Sequence, residues 1–364
     1  MSKHADPRQR EERNGAAVAT VVVVGLLGLV VALLAIFRPH TDPSDAAREA
    51  AQNIGIATPG GGGAAPPAGE QKVLQAATLQ LSKAGKLGKL GSVGKLGHRL
   101  RSKTERVASA EPTTFRVATF NVLGASHTNA GGNKRGWLPA SVRMGYAVST
   151  LDTYDVDVVG LQEFESSQYQ TFASRTGGAW GVYPGLSGDP RAVRNSIAWR
   201  NDTWELVQGS TFSIPYFHGS QVPTPVVLLK NIASGREVYF INVHNPATTG
   251  RWGNNERWRD AATAIEVSLI TQLHTAGYPV VLTGDFNERE EVFCRVTGST
   301  TMHAANGGSV GTPCLPPGNL NVDWVFGSPE IEFTDFLATK AGVIPRATDH
   351  PLVVADASLL PDLS

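Results

Sequence analysis

Two cysteines, Cys294 and Cys314, are all that 364 residues contain. That excludes a four-cysteine zinc site and a disulfide-dense scaffold, and leaves oxygen and imidazole as the main ligand chemistry. An even pair is either a single disulfide, in an oxidising compartment, or two separate thiols. Net charge is missing as well, since Lys+Arg and Asp+Glu both number 32. The balance is a cancellation. Residues 1–110 carry 15 basic and 8 acidic side chains, net +7, and residues 111–364 carry 17 and 24, net −7. The second part therefore lacks the basic excess on which strong polyanion binding usually rests.

Charge is absent altogether from residues 16–37, AAVATVVVVGLLGLVVALLAIF. As a helix this run spans roughly 33 Å at about 1.5 Å per residue, enough for a bilayer core. A cleaved signal has a shorter apolar stretch and a small-residue cleavage site, so a retained single-span anchor is expected. Lys3, Arg8, Arg10 and Arg13 precede the span. The positive-inside rule then puts residues 1–15 in the cytoplasm and the rest outside, at the cell membrane. Residues 38–112 read as a flexible linker. PGGGGAAPPAG (59–69) cannot bury a core, and the basic KAGKLGKLGSVGKLGHRLRSK (83–103) either tethers in solvent or touches anionic lipid and other polyanions.

From 113 to 364 the pattern is that of a folded domain, expected to be monomeric. Short apolar runs rich in Val, Ile, Phe and Trp recur at 115–122, 156–164, 195–200, 225–231, 237–245, 279–287, 321–327 and 350–356. Helical spacing appears at 138–154 and, with Ala261, Ile265, Leu269 and Leu273, at 255–277. Many strands and few helices predict an α/β domain of two packed sheets with helices outside.

The runs end on polar residues. Asn121, Glu163, His244 with Asn245, and Asp285 with Asn287 close four of them. Asp323 interrupts a fifth, and Asp349 and His350 open the last. A strand points side chains i and i+2 to one side, so Asp285 and Asn287 face together at the rim of a core, as a turn or as a site. Six such clusters favour a site. Carboxylates and amides without cysteine suit a hard cation such as Mg²⁺ or Mn²⁺.

TFNVL, GLQEF, INVHN, LTGDFN, NVDWVF and TDHPLVV occur in that order. The series resembles the motifs of the endonuclease/exonuclease/phosphatase superfamily, over about 113–358. The resemblance implies a DNase I-like four-layer α/β sandwich, two mixed β-sheets flanked by helices, and divalent-metal-dependent hydrolysis of phosphoesters. It implies that Glu163 is the main metal ligand, with Asn121 and Asp349 near the same ion. Asp285 would orient or deprotonate the attacking water, and Asn287 would hold the water or a phosphate oxygen. His350 and His244 would contact the phosphate, Asp349 would partner His350 or the metal, and Asp323 would polarise a histidine. Asn195 and Asn245 are further candidates at the substrate. Arg143 reads as a surface residue, and the loop 245–259, with Trp252, Trp258 and three arginines beyond the strand, as a substrate contact or simple packing.

The apurinic-site branch of the superfamily has an acid two residues after the first amide; Leu123 stands there, against a base-excision reading. A membrane-anchored nuclease is the expected activity. The alternatives are a phosphatase or phosphodiesterase for lipid headgroups, inositol phosphates or nucleotides, and, in another class, an inactive anchored binding module.

Overall fold

Alternation along the strands decides where the core lies. Strand β1 (Thr113–Asn121) reads TTFRVATFN. Phe115 and Val117 point one way, into a cluster shared with a second sheet, while Ala118 and Phe120 point the other way, against helices. The same division repeats in the neighbouring strands and gives four layers.

The computed structural model describes residues 111–309 and 313–361. The expected membrane span at 16–37 and nearly all of the linker lie outside them. Among the described residues no helix is long and apolar enough to cross a membrane.

The first sheet contains β1, β2 (Val158–Gln162), β3 (Trp180–Tyr183), β4 (Asn195–Arg200), β11 (Ile331–Thr339) and β12 (Leu352–Leu359), in the order β11-β12-β1-β2-β4-β3. The second contains β5 (Trp204–Pro215), β6 (Gln221–Asn231), β7 (Glu237–His244), β8 (Val280–Asp285), β9 (His303–Ala304) and β10 (Asp323–Gly327), in the order β5-β6-β7-β8-β10-β9. Phe115, Val158, Trp204, Phe240, Val281 and Val353 fill the space between the sheets. Helices α2 (Ala140–Thr153) and α3 (Ser166–Thr176) cover the first sheet, and α4 (Glu256–Thr275) and α5 (Glu290–Ser299) cover the second. Short α1 (Ala125–Thr128) follows β1, and short α6 (Ile344–Ala347) precedes β12. This is the mixed-sheet sandwich that the sequence led us to expect.

One parallel pair lies at the heart of each sheet, β1 with β2 and β7 with β8. The carboxyl ends of all four strands therefore meet one edge. Their antiparallel neighbours β4, β10 and β12 begin at that same edge. Register aligns the polar residues there: Asn121 opposite Gln162, Gln162 opposite Asn195, His244 opposite Asp285, and Asp285 opposite Asp323.

Below this row, the inner face carries a layer of buried polar side chains. Gln162 Nε2 donates to Asn242 Oδ1 at 2.6 Å and to Thr119 Oγ1 at 2.8 Å, and Asn242 Nδ2 donates to the carbonyls of Leu161 and Ser196 at 2.9 and 3.0 Å. The layer ties the two sheets together with directed bonds, where apolar packing alone would let them slide. It also requires Gly160, because a Cβ there would sit inside contact distance of Thr283 and Asn242.

Arg143 is not a surface residue. It is fully buried on α2. Its Nη1 donates to the carbonyls of Val122, Leu123 and Ala347 at 2.9, 2.7 and 3.0 Å, and its Nε donates to Leu138 O. The turn after β1 has Leu123 at φ 50°, a left-handed conformation that a branched residue resists, and Arg143 fastens it. Replacing Arg143 with methionine strands several carbonyls in the interior. The expected loss is roughly 2–4 kcal/mol of stability, read from urea unfolding.

The two cysteines are bridged, joining α5 to the segment before β10. The alternative of two separate thiols is set aside.

Candidate active site

Strands β7 and β8 change character in their last one or two inward positions. In β8 the inward series is Val281, Thr283, Asp285; in β7 it is Val238, Phe240, Asn242, His244. The apolar positions hold the sheets together, the next row bonds across them, and the last row meets solvent as chemistry.

Asp285 is the hub. Its Oδ2 accepts from Asn121 Nδ2 at 3.0 Å and faces His244 Nε2 at 3.5 Å and His350 Nε2 at 3.8 Å. Its Oδ1 accepts from the backbone N–H of Asn287 at 3.0 Å. Asn287 takes φ 52°, which Asn tolerates, and its Nδ2 donates to the Asn245 carbonyl at 2.8 Å. The LTGDFN turn is thus both a turn and a site element, since the turn aims the asparagine.

His350 is held from behind. Its Nδ1 lies 3.0 Å from both oxygens of Asp323, which is nearly fully buried, so Nε2 is left facing Asp285. Burial works against the positive ring, but the Asp323 bond and the charges of Asp323, Asp285 and Asp349 together outweigh it; His350 is held protonated well above the ordinary imidazole range. Asp323 is pushed up by burial and by Asp285, with the His350 bond pulling the other way. Asp349, expected to partner His350 or the metal, binds Lys134 Nζ at 2.6 Å through Oδ2. Asp323 is the carboxylate on the ring. Thr348 completes the hinge, donating to the Asn121 carbonyl at 2.7 Å and accepting from His350 N–H at 3.2 Å.

Glu163 sits just past β2 at φ 56°, a strained conformation for a glutamate. Its Oε2 accepts from Gly124 N–H at 2.8 Å and faces His127 Nε2 at 3.2 Å, and its Oε1 accepts from Asn121 Nδ2 at 3.1 Å. Burial alone would raise the Glu163 carboxyl. The His127 bond, the charge of His244 and the Gly124 N–H overcome this and hold it well below the usual carboxylate range. The same pairing pushes His127 up to about 9.

Asn121 joins the two acids. Leu123 N–H needs its Oδ1, at 3.0 Å, so Nδ2 is the end that faces Glu163 and Asp285. Through Nδ2 it positions the carboxylates, while its own oxygen is turned to Leu123. Asn195, at the start of β4, lies buried in the same row with its Oδ1 unpartnered. Asn245 is a correction. Its side chain is fully buried, away from any substrate, and it is its backbone that serves the site, donating to the Asp285 carbonyl at 2.9 Å and accepting from Asn287.

The donors around Glu163 fit a hard divalent cation. Glu163 and Asp349 offer carboxylate oxygens, the donor type such an ion prefers, and two cations from the loop after β1 stand on them, His127 on Glu163 at 3.2 Å and Lys134 on Asp349 at 2.6 Å. Asp285, Asp323 and His350 also bring ligand atoms within 4.8 Å of one another. Their arrangement suits proton handling better, because His350 Nδ1 is committed to Asp323 and a protonated ring binds no metal. When bound, a divalent ion would stabilise negative charge developing on a phosphoryl oxygen. For the chain's own part, His350 and His244 can donate hydrogen bonds to phosphate oxygens, and Asp285 can orient a water and accept its proton.

His127, Lys134, Gln162, Asn242 and Thr283 were not anticipated. His127 and Lys134 lie in a polar, Gly-rich loop that shows no periodicity, and the other three sit inside runs that read as apolar.

Residues 118–350 match the sequence profile of the Endonuclease/Exonuclease/phosphatase family, and the chain belongs to that family. Its members are phosphoester hydrolases, and the site has the side chains for that chemistry. Solved structures agree on the fold. A family protein from Bacteroides thetaiotaomicron aligns at TM-score 0.54 and 16% identity, over 70% of this chain and 97% of that one. The human Nocturnin catalytic domain with bound sulfate gives 0.53 and 17%, over 68% and 93%. A humanised D. rerio TDP2 gives 0.52 and 16%, over 67% and 98%. No curated protein matches the chain.

Proposed function

We propose that this is a membrane-anchored, divalent-metal-dependent nuclease, cleaving phosphodiester bonds on the outer side of the membrane. One observation supports a nucleic-acid substrate above others. Beside His244, Tyr216 lies edge-on to its ring at 5.8 Å, Phe217 packs on Tyr216 at 4.4 Å, and Phe217 stacks on Trp252 at 5.0 Å. Arg251 and Arg257 lie over Trp252 and Trp258 at 4.8 and 4.3 Å. Partly exposed aromatic rings with guanidinium groups, running away from a phosphate site, suit the bases and backbone of a single strand. Relatives of the same fold include an ANGEL2 structure described as a 2′,3′-cyclic phosphatase, at TM-score 0.50 and 12% identity, so phosphodiester chemistry at a ribose is within reach of this architecture. The uncharged run at 16–37 supports the anchor, and the disulfide supports an oxidising side for the domain.

The net −7 of residues 111–364 favours a second reading, a phosphatase or phosphodiesterase for lipid headgroups, inositol phosphates or nucleotides. The complete set of acids, amides and histidines speaks against an inactive binding module. Purified protein offered supercoiled DNA, RNA, sphingomyelin and phosphoinositides, with Mg²⁺ and with EDTA, separates the readings. Mg²⁺-dependent cleavage of nucleic acid is expected, with Trp252→Ala raising KM severalfold. Release of a headgroup with intact nucleic acid would replace the nuclease by the second reading.

A further inference from the structure

Of the stripe that its sequence suggests, helix α4 fully buries only Leu269. Ala261, Ile265 and Leu273 are only partly buried, while Ala262, Glu266, Leu269 and Ile270 face the sheet. The helix is turned by about one residue, some 100°, and a glutamate lies in the middle of its packed face. Glu266 is fully buried. Its carboxyl lies against the side-chain amide of Asn245. No hydrogen bond reaches either of its oxygens or either polar atom of that amide, so four buried polar atoms stand unpartnered beside one another.

Two buried groups in that position can satisfy each other in one protonation state. A neutral carboxyl donates its O–H to Asn245 Oδ1 and accepts from Nδ2. A carboxylate can only accept, which strands Oδ1 and buries an uncompensated charge. The stakes are set by what Asn245 carries. Its N–H donates to the Asp285 carbonyl at 2.9 Å, its carbonyl receives Asn287 Nδ2 at 2.8 Å, and His244 precedes it in the chain. Three side chains of the site depend on this one stretch of backbone.

We infer that Glu266 is a positioning residue of the active site, a neutral acid that clamps the Asn245 amide and so fixes the backbone behind His244, Asp285 and Asn287. It touches no substrate and acts only through Asn245; the inference rests on the hydrolase chemistry of the family and on no particular substrate.

Burial pushes the Glu266 carboxyl up to about 8, with the Asn245 contact pulling it down and the charge of Glu288 pushing it further up. Glu288 is the charged group that faces it among the described residues, and is itself held by Arg259 Nε and Arg295 Nη1, each at 2.9 Å. The acid is raised in the folded state. It therefore holds its proton when the unfolded chain has lost it, and stability falls as pH rises from the ordinary glutamate range to about 8.

Glu266→Gln keeps a donor and an acceptor at every pH, and Glu266→Met keeps the volume with neither. The full chain and both variants would be assayed with bis(p-nitrophenyl) phosphate and Mg²⁺ across pH 5 to 9, roughly the window of that titration. In the wild type, kcat is expected to decline on the alkaline side with a midpoint near 8, the value of the Glu266 carboxyl. Glu266→Gln should match it near neutrality and lose that decline. Glu266→Met should lower kcat on the order of tenfold to a hundredfold with KM unchanged, the scale of a small displacement of reacting groups. Two readouts need no substrate. The melting temperature of Glu266→Gln should gain on the wild type as pH rises, and the Asn245 and Asn287 amide NMR signals should titrate near 8 in the wild type only. If Glu266→Met fails to fold, the glutamine variant still decides. The inference is overturned if Glu266→Gln shares the wild-type alkaline decline, or if those amide signals do not respond to pH. An enzyme that leaves the diester untouched counts against the substrate reading, and the NMR comparison then decides on Glu266.

Discussion

Asp285→Asn lowers kcat by on the order of 10²–10⁴, the range of a lost general base, with KM changed far less. The size follows from what surrounds the carboxylate. Oδ2 is ringed by donors, Asn121 Nδ2 at 3.0 Å, His244 Nε2 at 3.5 Å and His350 Nε2 at 3.8 Å, and Oδ1 is occupied by Asn287 N–H. An amide must turn its NH₂ toward one of these groups, so a donor meets a donor and the site opens. The variant also loses the proton acceptor that a water nucleophile requires, and one of the charges that keep His350 positive. A steady-state diester assay gives the rate, and a melting curve shows that the fold survives. A rate within a few-fold of wild type, in a folded variant, would remove Asp285 from the chemistry.

Asp323→Asn has the second-largest effect, and its signature is a shift in pH dependence. Asp323 contributes both the bond at Nδ1 and the nearest opposing charge to His350. Without that charge the ring falls back toward about 6.5, the ordinary imidazole value. The sign is fixed by which form works. In the proposed role His350 must be protonated to donate to the phosphate, so activity is expected below the ring's pKa and is lost as pH rises through it. In the wild type the raised ring stays charged well into the alkaline range. In Asp323→Asn the loss moves to about neutrality, where activity should drop on the order of 10²-fold, the scale of one lost transition-state donor, and recover in part near pH 5.5, roughly a unit below the ordinary imidazole value. His350→Gln should show the loss at every pH. An Asp323→Asn profile parallel to wild type would mean that the pair does not set the protonation of the ring.

The candidate site was legible because a strand that ends in a polar residue leaves a mark in the sequence. Asn121, Asp285, Asp323 and His350 each break an otherwise apolar run, and register does bring them to one edge. Interior polar residues leave no such mark. Gln162, Asn242 and Thr283 are single positions within apolar runs, and their use appears only when two sheets face each other. Glu266 was hidden for a related reason, because the apolar positions of α4 fit two stripes a residue apart and the sheet selects the one containing the acid. Arg143 was misjudged because a charged residue on an amphipathic helix usually faces water, and nothing local reveals that a strained turn needs its donors. Helix α3, SSQYQTFASRT, has Phe172 and Gln168 as its buried residues and so shows little periodicity. Strands β5 and β11 lie at sheet edges with one face largely exposed, and their apolar patterns are correspondingly broken.

The measurement to make is Mg²⁺-dependent nicking of supercoiled DNA by the wild type and Asp285→Asn, side by side, with EDTA as the control. The wild type should nick with Mg²⁺ and stop with EDTA, and the folded variant should leave the DNA supercoiled under both conditions. Nicking that persists in Asp285→Asn, or that ignores the removal of metal, would contradict the assignment of the strand-end cluster as the hydrolytic centre.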